Sequence, residues 1–211
     1  MKKKEFPRIT IILRNYTIEQ AVIIANELNE YNCFGIEVAL NSSNAFQIIN
    51  KLKSMNYSNL LIGAGTVLNM ELLKKAHSAN VAFVLSPINM TKEMLDYCKI
   101  NNIISVPGAF SPTEIYQMKN WNADIVKIFP ANIVGTKYLT AIQAPLNKFP
   151  LMVVGGINVK NVSDFLINDS IYSGIGSGIC SKSDIDENNL LELKSNIKIL
   201  AEKVNRMENK K

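Results

Sequence analysis

Eight short runs of apolar, β-branched residues alternate with longer segments of helical period along the whole chain, and that alternation limits the fold more than any other feature. The runs are Arg8 to Leu13, Phe34 to Leu40, Leu60 to Gly65, Val81 to Leu85, Ile103 to Val106, Ala123 to Phe129, Pro150 to Val154 and Ile171 to Gly176. Between them lie segments such as Thr17 to Tyr31, with Ala21, Ile24, Ala25 and Leu28 on one face, and Ser43 to Met55, with Phe46, Ile49, Lys51 and Leu52 in helical phase. Helix starts are written in the chain. Thr17 with Gln20 forms a capping box, and Ser111-Pro112-Thr113-Glu114 sets an N-cap, a proline at the first helical position and an acid at the third. Strand-then-helix units roughly 20–25 residues apart, closed by a last helix from Leu190 to Val204, predict an α/β fold, a single small (β/α)8 TIM barrel. An open doubly wound sheet is the alternative. No low-complexity linker interrupts the series, so residues 1–211 are read as one barrel domain.

In such a barrel the chemistry sits at the carboxyl ends of the strands. The sixth run, Ala123-Asp-Ile-Val-Lys127-Ile-Phe-Pro130, sets one lysine among Ile125, Val126, Ile128 and Phe129. Burial disfavours an ammonium, so the pKa of Lys127 is expected to fall below its reference of about 10.4, leaving amine that attacks carbonyls. The competing reading is a lysine at a strand end whose head reaches water while its stem covers apolar surface.

The second run alternates with period two. Ile36, Val38 and Leu40 face the helices, while Gly35, Glu37, Ala39 and Asn41 face the barrel interior. A carboxylate there is either a structural acid paired with a lysine or a proton carrier. In the first run, Thr10, Ile12 and Arg14 share a face, and Arg14 reaches the mouth, as a rim residue or as a bidentate partner for a carboxylate. The third run ends Gly63-Ala64-Gly65-Thr66, where glycines permit close approach and Thr66 offers a hydroxyl. The seventh and eighth end in Val154-Gly155-Gly156-Ile157-Asn158 and Gly174-Ile175-Gly176-Ser177-Gly178. Paired glycine-rich turns after the last two strands are the usual phosphate site of this barrel class, because their backbone N–H groups converge on an oxyanion.

Composition excludes several alternatives. Of the formal net charge of +5, much comes from Lys2, Lys3, Lys4, Lys210 and Lys211, read as flexible, solvated ends, and no lysine run interleaves with aromatics as nucleic-acid binding requires. Cys33, Cys98 and Cys180 are odd in number and widely spaced, and His77 is the single histidine, so neither a disulfide framework nor a metal site is expected. No apolar run reaches the ~18 residues of a membrane span, and the N-terminus lacks an apolar signal core. The expectation is a cytoplasmic protein without metal, other cofactor, membrane or nucleic-acid partner.

Leu13-Arg14, Ile36-Glu37-Val38-Ala39-Leu40-Asn41-Ser42, Gly63-Ala64-Gly65-Thr66-Val67-Leu68, Val106-Pro107-Gly108, Val126-Lys127-Ile128-Phe129-Pro130, Gly155-Gly156-Ile157 and Gly176-Ser177 resemble, in order, the motifs of the bacterial 2-keto-3-deoxy-6-phosphogluconate (KDPG) and 6-phosphogalactonate aldolases. The resemblance implies a class I lyase, a homotrimer of barrels acting in carbohydrate metabolism of the Entner-Doudoroff kind. It implies a Schiff base between Lys127 and pyruvate, and proton transfer by Glu37. Arg14 and Thr66 become candidates for the carboxylate, and Gly155, Gly156, Gly176 and Ser177 for the phosphate of a sugar-acid phosphate. Asn41 and Val154 look like the galactonate branch, the gluconate branch having arginine and threonine there. Ala39 matches neither branch, Ser86-Pro87-Ile88-Asn89 lacks a glycine that often follows the proline, and Asn158 replaces the usual Ser or Thr. A site of this kind could also cleave 2-keto-4-hydroxyglutarate (KHG). A phosphate-binding barrel isomerase or epimerase, or a silent barrel that binds a sugar acid, would share the glycine turns without forming an imine.

Overall fold

The structure, a computed structural model, describes residues 5–187 and 189–208. The lysines of the two basic ends lie outside the described residues. One parallel sheet holds β1 (Ile9–Leu13), β2 (Phe34–Ala39), β3 (Leu61–Gly65), β4 (Phe83–Leu85), β5 (Ile104–Val106), β6 (Gly108–Ala109), β7 (Val126–Ile128), β8 (Leu151–Val154) and β9 (Ile171–Ile175). Their spatial order is β5-β4-β3-β2-β1-β9-β8-β7-β6.

The two ends of that order are consecutive in the chain. The fifth expected run, Ile103 to Val106, forms β5, and beyond Pro107, which has no N–H to give a ladder, the same stave continues as β6. β5 pairs with β4 and β6 with β7. Across the break, Ser105 O accepts from Ile125 N at 3.2 Å and Pro107 O from Lys127 N at 2.8 Å. The sheet thereby curls into a nearly closed α/β barrel, with eight staves as the sequence predicts and nine strands by hydrogen bonding.

Helices α1 (Ile18–Asn29), α2 (Ala45–Ser54), α3 (Met70–Ser78), α4 (Lys92–Ile100), α5 (Pro112–Asn120), α6 (Ala131–Leu146), α7 (Val162–Phe165), α8 (Lys182–Asp186) and α9 (Leu191–Glu208) surround it. Both expected capping boxes form, Thr17 with Gln20 and Ser111 with Glu114. α1 buries Ala21, Ile24, Ala25 and Leu28 as its period predicts. In α2 the buried stripe is Ala45, Ile48, Ile49 and Leu52, and Lys51 is exposed. Ile48 rather than Lys51 shares the face of Leu52, four residues on. Gly135 (φ 69°) breaks α6 into a first turn and a longer helix.

Two apolar layers hold the barrel. The outer one packs Ile9, Ile11, Ile36, Val38, Val126, Ile128, Val153 and Ile175 against the helices. The inner one contains Phe6, Phe83, Leu85, Ile104, Val106, Ile125, Met152 and Val154. Phe6 stoppers the amino-terminal end of the barrel, meeting Phe83 edge-on at 5.2 Å and Tyr172 at 5.4 Å between ring centroids. Burial of one such ring contributes about 1.5–3 kcal/mol, and here it also excludes water from below. The cavity described next lies at the other end.

Candidate active site

Glu37 and Lys127 are the charged side chains that the strand period turns inward. Glu37, in register with Gly63 of β3, is 1% exposed. A Cβ built on Gly65 would stand 1.5 Å from Glu37 Oε1, so the missing side chain of Gly65 is what admits the carboxylate. Its other oxygen, Oε2, is buried with no hydrogen-bond partner among the described residues. An unsatisfied carboxylate oxygen in a dry interior is costly. Burial accordingly raises the Glu37 pKa, and the charges of Lys127 and then Arg14 pull it partly back.

Lys127, on β7 and in register with Gly108 and Met152, is 6% exposed. Its head does not reach water in the manner of a strand-end lysine. Desolvation lowers its pKa, the attraction of Glu37 opposes that shift and the repulsion of Arg14 reinforces it. The Lys127 Nζ lies 5.0 Å from the centroid of the Phe129 ring. Burial therefore pushes both members of the pair toward their neutral forms, against their mutual attraction.

Phe129 also faces a cavity of about 510 Å³ at the carboxyl ends of β1, β7, β8 and β9. Its wall includes Ile12, Arg14, Asn15 and Tyr16 from the first strand and loop, and Val154 through Asn158 after the seventh stave. Gly174, Gly176, Ser177, Gly178 and Lys182 complete it. Gly155 and Gly156 have φ of 100° and 70°, a region closed to most side chains. Asn158 builds the turn that follows them: its Oδ1 accepts from Lys160 N and Asn161 N, and the Asn161 side chain donates to Gly156 O at 2.9 Å. A Cβ on Gly176 would meet nothing within 4 Å, so the backbone there borders open space. Among the described residues, two cations and no carboxylate line the cavity.

Of the residues singled out by sequence, Arg14, Val154, Gly155, Gly156, Gly176 and Ser177 come together on this wall. Glu37 and Lys127 are buried in the interior, coupled by charge to Arg14. Thr66 follows Gly65 in the left-handed region (φ 58°), half-buried beside the strand that carries the Glu37 contact. Asn41 is exposed in the turn after β2, which ends at Ala39, and is not part of the cavity wall. Sequence reading passed over Tyr16 and Lys182. The Lys182 ammonium donates to Arg14 O and Asn15 O, each at 2.8 Å, and sits 4.5 Å from the Tyr16 ring centroid. Burial pushes the Tyr16 hydroxyl up to about 12. The available signal was a lysine close behind the glycine-rich turn of the last strand.

Among the described residues, no group of three or more His, Cys, Asp or Glu side chains is placed to hold a metal ion, and no helix is long and apolar enough to cross a membrane. The three cysteines are buried.

The family model described as "Aldolase: KDPG and KHG aldolase" matches residues 2–195. A probable 2-dehydro-3-deoxy-6-phosphogalactonate aldolase of Rhizobium meliloti is 30% identical over 169 residues, covering 80% of this chain and 79% of the relative. A 2-dehydro-3-deoxy-phosphogluconate aldolase of Haemophilus influenzae is 31% identical over 158 residues, 74% of each chain. Among solved structures, the KDPG aldolase of Legionella pneumophila, with pyruvate captured as a covalent carbinolamine, superimposes with a TM-score of 0.80 at 25% identity, covering 91% of this chain and 93% of that one.

Proposed function

The chain belongs to the KDPG and KHG aldolase family, and is thus an aldolase and a lyase; on that footing we propose that it cleaves a 2-keto-3-deoxy-6-phospho sugar acid to pyruvate and glyceraldehyde 3-phosphate through a Schiff base on Lys127. The observation that carries this reading is the buried Lys127–Glu37 pair beside a cationic, glycine-walled cavity. The Lys127 amine adds to the C2 carbonyl of the substrate, and Glu37 gives its proton to the departing hydroxyl, so that loss of water leaves an iminium that draws electrons from the C3–C4 bond. Glu37, as carboxylate, takes the C4 hydroxyl proton directly or through one water as that bond breaks and the aldehyde leaves. The enamine that remains is protonated at C3, and hydrolysis of the resulting iminium releases pyruvate and restores the amine.

The remaining roles are those the resemblance implies. Arg14 and Thr66 hold the substrate carboxylate, and Gly155, Gly156, Gly176 and Ser177 offer backbone and hydroxyl donors to the phosphate. Val154, whose side chain is on the cavity wall, meets the hydroxyl-bearing middle of the substrate, and the galacto-configured epimer is taken at least as well as the gluco-configured one. The enzyme works in the cytoplasm as a homotrimer. Exposed apolar side chains on neighbouring loops, among them Leu68, Ile88 and Phe110, are consistent with contact between copies. Release of pyruvate from each phosphorylated epimer, followed with a coupled lactate dehydrogenase, tests the activity. Cleavage of neither would overturn the assignment of substrate class.

A further inference from the structure

We infer that Lys182 is the cationic ligand for the substrate's phosphate and sets the preference for phosphorylated over unphosphorylated substrates. No sequence motif marked it. Its ammonium has three N–H donors. Two are spent on Arg14 O and Asn15 O, and the head rests 4.5 Å from the Tyr16 ring centroid, so the ammonium is anchored before any ligand arrives. The third donor remains for an anion in the cavity that Lys182 helps to line. Among the described residues that wall carries Arg14 as its other cation and no carboxylate of its own. It also carries Gly155, Gly156 and Ser177, whose N–H groups suit a tetrahedral oxyanion.

The anchor matters because a flexible lysine loses side-chain entropy when it grips a ligand, whereas an ammonium already held by two carbonyls loses little. It also joins α8 to the loop that carries Arg14, across 168 residues of sequence. A phosphate on Lys182 and a carboxylate on Arg14 are therefore held by one framework. The ligand class is a phosphate monoester dianion; a neutral hydroxyl at the same place would leave the third donor with a weaker partner.

The choice of substrate rests on the aldolase reading, but the anion site can be tested apart from it. Lys182→Met keeps the stem over Tyr16 and removes the ammonium. In the full-length parent and variant, specificity constants are measured for a 2-keto-3-deoxy-6-phospho sugar acid and for its unphosphorylated counterpart. Inorganic phosphate is titrated into the same proteins calorimetrically. The expected result is a fall of about ten- to a hundredfold in the ratio of specificity constants, carried by KM, with weaker phosphate binding in the variant. Lys182→Arg is expected to recover part of the phosphate affinity. An equal loss on both substrates would make Lys182 a strap for the Arg14 loop and overturn the inference, as would unchanged phosphate affinity. Absence of aldol cleavage in the parent, with phosphate affinity still falling in Lys182→Met, would contradict the aldolase reading while supporting the anion site.

Discussion

Gly65 and Glu37 share one space: the carboxylate of β2 lies where a side chain of β3 would be, with Oε1 1.5 Å from the position of a Cβ on residue 65. A methyl group there must displace either the carboxylate or the strand. Gly65→Ala is therefore expected to destabilise the fold by about 1–3 kcal/mol and to lower aldol cleavage with it. Gly176→Ala is the contrast, since its Cβ meets nothing within 4 Å. Its melting temperature should stay close to the parent's while KM for the phosphorylated substrate rises. Thermal melts and steady-state kinetics on both variants check this. A fully active Gly65→Ala would contradict the placement of Glu37.

Glu37→Gln keeps the shape of the acid and removes its charge. Cleavage should fall by the ~10²–10⁴-fold typical of a lost acid-base group, while a pyruvate adduct on the protein still forms. Equal turnover by variant and parent would take Glu37 out of the mechanism.

The same residue should write itself into the pH dependence of stability. Burial raises the folded-state pKa of Glu37 above its unfolded value of about 4.3, so the folded protein holds the proton more tightly. Its stabilising share, complete below about pH 4.3, is lost as pH rises through the folded value. Lys127 runs the other way: its pKa is depressed, so its destabilising share is lifted as pH rises from the folded value toward about 10.4. Melting curves from pH 4 to 8 should accordingly show Glu37→Gln gaining on the parent with rising pH. A constant gap between the two would exclude a raised carboxyl.

Val154 supplies methyl surface where the gluconate branch, by resemblance, has a hydroxyl. A hydroxyl partner in a dry site is worth on the order of 1–3 kcal/mol, or roughly ten- to a hundredfold in relative rate. Val154→Thr should shift the ratio of specificity constants toward the gluco epimer. A strong gluco preference in the parent, or no shift in the variant, would remove Val154 as the discriminator.

Much of this architecture was legible because it is local. Period two in Gly35-Ile36-Glu37-Val38-Ala39 turned Glu37 inward, the capping boxes fixed the starts of α1 and α5, and the paired glycines located the cavity rim. The features that stayed hidden depend on distant partners. Nothing beside Phe6 in the sequence says that it meets Phe83 and Tyr172, and nothing beside Lys182 names the carbonyls of residues 14 and 15. Pro107 was visible, but its effect on strand count depends on its carbonyl accepting from Lys127 N on the next stave. Asn41 was assigned inward because the alternation was carried past Ala39, where the chain leaves the sheet.

The central claim is that the buried amine of Lys127 forms the imine. Incubation of the parent with pyruvate and borohydride, followed by intact-mass and peptide analysis, tests it most directly. A single reduced pyruvate adduct on the peptide containing Lys127 is expected, forming faster as pH rises toward neutrality because burial has lowered the amine's pKa. Lys127→Arg, which keeps a charge but never offers a neutral amine, should give neither adduct nor cleavage. An adduct on another lysine, or near-normal cleavage by Lys127→Arg, would contradict the account.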